Sequence, residues 1–154
     1  MSRSNIIASR LREVLLDGHW IANTNCKEQI QSLDWQGAIR KVGNVNTIAD
    51  LTFHLNYYLE GLLAALDTGT LEISDKFSFD SPEVKSQKDW TNLVETFLNN
   101  SEKYIERIKQ IPDNQLDQPF IGQKYGTFGR NIDGVIEHSY YHLGQISLIR
   151  KLIT

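Results

Sequence analysis

The sequence predicts an all-α protein, a four-helix bundle with long crossover connections. Three observations carry this. Apolar residues recur at helical spacing in four long segments. Strand signals are weak throughout. Each long segment carries a start or stop signal at its ends. The 154 residues are enough for one domain, 1–154, that buries a core without disulfides.

The first segment, residues 5–17, carries Ile7, Leu11, Val14 and Leu15 on one face. Ser4 is placed to cap its start and Gly18 to end it. Residues 19–46 read as short helical pieces and turns. Asn25 and Glu28 have capping-box spacing and start a piece reaching Leu33. Asp34 caps another reaching Arg40, and Gly43-Asn44 is a turn. The second long helix starts at Thr47, with Asp50 at the third helical position to complete a capping box. Ile48, Leu51, Leu55, Leu59, Leu62 and Leu66 form its apolar stripe. His54, Tyr58 and Ala65 lie on the edge of that stripe. The helix stops near Thr68-Gly69.

Residues 70–87 form a connection of a length that is uncommon in compact domains and often functional. It is long enough to let the helices it joins lie parallel. Phe77 and Phe79 alternate with polar residues and are placed to pin it to the body. The third helix, 88–111, buries Trp90, Leu93, Val94, Phe97, Tyr104, Ile105 and Ile108, and Pro112 closes it. Residues 113–126 read as polar loop with one extended piece. Thr127 caps the last helix, which runs to about residue 152. Its inner stripe reads Asn131, Val135, His138, His142, Gln145, Ile146 and Ile149.

Composition excludes several classes. Hydrophobic content of 40% with 23% charged residues is ordinary globular usage rather than that of a disordered chain. A net charge of −3, with no Lys/Arg stripe, leaves no nucleic-acid footprint. No apolar run approaches the ~18–20 residues that span a bilayer. The N-terminal residues are polar rather than a signal peptide. The lone cysteine, Cys26, makes no intramolecular disulfide and fits a reducing compartment. A cytoplasmic protein is the expectation.

The chemistry sits in histidines. His138 and His142 are one turn apart, so both imidazoles share one helix face. That face also carries Val135, Ile146 and Ile149. His54 lies on the second helix, and if the two helices are neighbours three imidazoles converge. Three neutral nitrogens suit Zn²⁺, and imidazole also suits Ni²⁺, Fe²⁺ or Cu²⁺. A three-histidine set leaves a position open for water or substrate, as catalytic sites do. The alternative is a set of hydrogen-bonded core histidines. A buried pair then needs partners for up to four ring nitrogens, at considerable cost.

Other residues have two readings each. Gln145, on the same face, orients a metal-bound water or a substrate, or satisfies a core polar group. Asp50 is a partner to His54 or only a cap. Tyr58 and Tyr141 line a pocket or pack at its rim. Glu137 points about 100° away from His138 and belongs in solvent. His19 reads as a surface cation at the end of the first helix. Cys26 has no basic partner in sequence to activate it. There is no glycine-rich phosphate loop and no Gly-x-Ser-x-Gly elbow. The His-x-x-x-His lacks the glutamate of zinc proteases.

Two runs carry a resemblance: Thr47-Ile48-Ala49-Asp50-Leu51-Thr52-Phe53-His54-Leu55 and Gly134-Val135-Ile136-Glu137-His138-Ser139-Tyr140-Tyr141-His142-Leu143-Gly144-Gln145-Ile146. Together they resemble the DinB/YfiT-like superfamily of metal-dependent enzymes. The resemblance implies an up-down-down-up bundle and a divalent metal, Zn²⁺ or Ni²⁺, held by His54, His138 and His142. It also implies a homodimer. Characterised members include transferases using low-molecular-weight thiols, a thiol-dependent isomerase and a hydrolase of a reactive toxin. The leading expectation is therefore a metal-dependent enzyme acting on a small-molecule electrophile, by hydrolysis or by thiol transfer. A thiol cofactor would need cations for its carboxylates, with Arg130, Arg150 and Lys124 as candidates. The alternatives are a non-catalytic metal-binding or stress-response module with a closed coordination sphere, and a metal-free helical interaction protein.

Overall fold

Side-chain caps fix where the helices of this chain begin. The computed structural model describes residues 1–154. It holds six α-helices, with no strand beyond an isolated bridge between Pro119 and Thr127. Helix α1, Arg3–Arg12, starts two residues earlier than expected. Ser2 is its cap and accepts from Asn5 N at 3.1 Å. Ser4, the expected cap, is buried instead and its hydroxyl donates to Ile111 O. The next free amides of the first turn, on Arg3 and Ser4, donate to the carboxylate of Asp113, at 2.9 and 3.0 Å. A partner that distant in sequence leaves no local signal. One π-helical turn, Glu13–Asp17, continues α1 up to Gly18.

Helix α2, Cys26–Gln31, and helix α3, Trp35–Ala38, are shorter than their caps suggest. The caps themselves are as expected. Asn25 accepts from Glu28 N at 2.9 Å, and Asp34 accepts from Gly37 N at 2.7 Å. Helix α4, Ile48–Thr68, opens with a complete capping box. Thr47 Oγ1 accepts from Asp50 N at 3.0 Å, and Asp50 Oδ2 accepts from Thr47 N at 2.9 Å. It ends at Gly69, whose φ of +78° suits glycine. Thr47→Ala is expected to cost about 1 kcal/mol of stability, read from the urea midpoint, with Thr47→Ser close to the parent.

Helix α5, Gln87–Lys109, buries Trp90, Phe97, Ile105 and Ile108, and Trp90 Nε1 donates to Leu33 O at 2.8 Å. Residues 113–126 carry two short 3₁₀ turns, Asp113–Asp117 and Gln123–Tyr125. Helix α6, Phe128–Ile153, is capped by Thr127. The four long helices share one core. Both α4 and α1 pack against α5 and α6. No helix is long and apolar enough to cross a membrane.

The buried row of α6 differs from the expected stripe. Its centre is Ile132, Ile136, Ser139, Leu143 and Ile146, rotated by about one residue. Asn131, Val135, His138 and Gln145 are only half-buried, while His142, Ile146 and Ile149 are buried as expected. Desolvating amides and imidazoles is costly, so the aliphatic row takes the centre. The polar row then borders a cleft.

Candidate metal centre

The site is built where α4 and α6 meet, and a strap closes one side of it. Residues 70–79 return along α4. The Tyr57 hydroxyl donates to Ser74 O and accepts from Ser74 N, both at 2.9 Å. Ile73 rests on Gly61, where a Cβ would meet Ile73 Cγ2 at 2.2 Å. Tyr58 donates from its hydroxyl to Asp75 Oδ1 at 2.5 Å. Further along, His54 Nδ1–H donates to Ser78 O at 3.2 Å, and Phe79 stacks on the His54 ring at 4.0 Å between centroids.

These contacts settle the tautomers. A carbonyl only accepts, so His54 carries its proton on Nδ1 and leaves Nε2 a bare lone pair. His142 Nδ1–H donates likewise to Gln145 Oε1 at 2.7 Å. Both Nε2 atoms then face His138 Nε2, each at 3.0 Å. A single proton on His138 satisfies one of those contacts at most, so at least one Nε2 lone pair is left without a donor. A cation among the three nitrogens removes the conflict. The three donor atoms lie within 4.8 Å of one another, and nitrogens bound to one ion at about 2.0–2.1 Å stand roughly 3.3 Å apart in a tetrahedral site. The donor set therefore fits a divalent metal.

Electrostatics agrees with neutral ligands. Burial, then the charges of His142 and His54, push His138 down to about 4. Burial first and His142 second lower His54, against the opposing Ser78 hydrogen bond. Burial also lowers His142, against Gln145. All three are neutral at pH 7, as metal ligands must be. In chelator the unfolded chain takes up protons near pH 6.5 that the native imidazoles refuse. Metal-free stability is therefore expected to be full above that value and to fall as pH drops toward about 4. Thermal melts in chelator across that window check the sign.

The Tyr58 ring stands edge-on to His54 at 5.1 Å and to His138 at 5.2 Å. Tyr141 is exposed, with its ring 4.9 Å from that of His142. The Asp50 carboxylate holds the capping box, and His54 Nδ1 is turned to Ser78 instead. Glu137 is exposed and pairs with Arg130. His19 is exposed and pairs with Glu28 at 2.9 Å. The Cys26 thiol is fully buried, which pushes it up to about 12 and keeps it protonated. Arg150 reaches Gln29 O. Sequence reasoning missed Ser78 and Asp75. The alternation around Phe77 and Phe79 was the one signal that the strap touches the body.

Through His138 the triad borders a cleft of about 710 Å³ between α4, α6 and the strap. His138 and Tyr58 lie in its wall, with Asp75 as its only carboxylate and Lys124 and Arg130 as its cations. In comparisons with known proteins, the family model described as the DinB superfamily matches residues 30–146. No curated protein and no solved structure matches the chain.

Proposed function

The chain belongs to the DinB superfamily, and from that premise we propose that it is a metal-dependent enzyme acting on a small electrophilic molecule. The observation that carries this is the convergence of three Nε2 atoms in a triad whose His138 borders a roomy cleft. The ligands are His54, His138 and His142, and Zn²⁺ or Ni²⁺ suits three imidazoles. A metal held there lowers the pKa of a bound water or thiol and so supplies a nucleophile near neutral pH. Ser78 O and Gln145 Oε1 hold two of the imidazoles in the ligating tautomer. Asp75 Oδ1 is held by Tyr58, leaving Oδ2 to accept a proton from the attacking group.

Water as the nucleophile gives hydrolysis, and a low-molecular-weight thiol gives transfer. In this reading the four long helices run up-down-down-up, an arrangement the long link from α4 to α5 permits. The chain acts as a cytoplasmic homodimer, supported by the exposed Tyr141, Leu148 and Leu152 on α6 and the reduced Cys26. A closed, non-catalytic centre needs a fourth protein ligand. His19, Asp50 and Glu137 are engaged elsewhere, and no carboxylate joins the cluster of three histidines.

The test starts with elemental analysis of protein purified without a polyhistidine tag. About one divalent ion per chain is expected, and its absence after reloading overturns the reading. Reactive electrophiles are then offered with and without added thiol. Product formed only with thiol assigns transfer, and product formed in its absence assigns hydrolysis. A fourth protein ligand seen by X-ray absorption would remove the catalytic reading.

A further inference from the structure

The cleft is polarised along its length. On α6 its wall runs from Arg130 and Asn131 through Gly134 and Val135 to His138. Eight residues at the α-helical rise separate its ends by about 12 Å. On α4, Tyr58 stands beside His138, while Leu62 lies at the level of Asn131. Asp75, bonded to Tyr58, therefore marks the histidine end. Lys124, Tyr125 and Arg130 mark the other. Between them the lining is aliphatic: Leu59, Leu62, Leu71, Ile73 and Val135.

The cations at the far end are available. Lys124 has no carboxylate partner and lies only over the Tyr125 ring, at 5.4 Å. Arg130 pairs with Glu137 at 3.2 Å, but both groups are more than 60% exposed, and such pairs contribute little. An anion backed by the cleft wall competes well against that. Asp75 offsets part of the charge that a divalent ion would bring to the histidine end. The unpartnered Lys124 and the weakly paired Arg130 thus favour the charged group at the far end.

We propose that the cleft binds an amphipathic anion, with its charged group at Lys124 and Arg130, its apolar body along Leu59, Leu62 and Val135, and its reacting carbon beside His138. Only the reacting end of this proposal rests on the metal-dependent reading. The anion site and the apolar middle stand on the cleft alone. A substrate of this class spans about 12 Å between its charge and its reacting atom.

The test is calorimetric binding of octanesulfonate and of octanol to the metal-loaded full chain, because a sulfonate is a weak metal ligand. Octanesulfonate is expected to bind about tenfold more tightly or better, the scale of a charge-assisted hydrogen bond. The Lys124→Gln/Arg130→Gln double variant should lose that preference while keeping its octanol binding and its metal content. Val135→Trp should weaken both ligands. Equal affinity for the two probes overturns the proposal, as does a preference that survives the double variant. So does sulfonate binding lost in His138→Ala but not in the double variant, since the anion would then sit at the histidines. A chain that takes up no metal yet keeps the Lys124- and Arg130-dependent preference would sink the metal reading and support this one.

Discussion

His138→Ala is expected to give a folded helical protein that no longer holds a metal. His138 Nε2 is the hub of the triad, since the other two donor nitrogens each lie 3.0 Å from it. Its side chain borders the cleft, so truncation enlarges an open cleft and leaves no sealed cavity. Without metal the variant should melt no lower than the metal-free parent, because the contact that no proton satisfies is gone. The difference appears on loading. A ligand at a thousand times its Kd adds about 4 kcal/mol to a folded state. For a domain of this size that raises Tm by roughly 8–16 °C. The parent should show that rise with zinc and the variant none. Elemental analysis should find the variant empty, and a stoichiometric ion there would refute the triad.

Gln145→Leu is the second large effect, and it acts one atom further out. Gln145 Oε1 takes the His142 Nδ1 proton at 2.7 Å. That bond turns the ring and keeps the Nε2 lone pair aimed at His138. Leucine fills similar space but accepts nothing, so the ring is free to rotate and to change tautomer. Partners of this kind are worth about 10–100-fold in metal affinity. Competition against a chromophoric chelator should show that loss, with the helical circular dichroism unchanged. Gln145→Glu supplies a stronger acceptor at the same place and should restore the affinity. Equal weakening by leucine and glutamate would mean that Gln145 only packs.

The sequence made some of this readable and hid the rest, for physical reasons. Thr47, Asn25, Asp34 and Thr127 act on amides three residues away, so their roles show in local spacing. Ser2 caps α1 by the same local rule, but Ser4 offers an equivalent hydroxyl nearby, and Asp113, which takes the Arg3 and Ser4 amides, reaches them from 110 and 109 residues off. The histidines stood out through the i, i+4 rule and a third imidazole on another helix. The rotation of α6 was hidden because Val135 and Ile136 offer two adjacent apolar ridges, and only packing chooses between them. The strap was the least legible part. His54 is oriented by the backbone carbonyl of Ser78, and a carbonyl has no residue type to read. Asp75 joined the site only through Tyr58, a contact across 17 residues.

Gly61 sets two selective demands against each other at one atom. Alanine there would favour α4 by about 1 kcal/mol of helix propensity. The added methyl group would also collide with Ile73 and lift the strap that turns His54 toward its partners. Gly61→Ala is therefore expected to weaken metal affinity whichever way it moves Tm, and paired metal titrations and melts would show the two readouts uncoupled. A search for heat-tolerant variants that screens on melting alone would favour removing this notch. Screened on metal retention, the same library should keep it, so the missing side chain marks a point where endurance and occupancy cannot both be maximised.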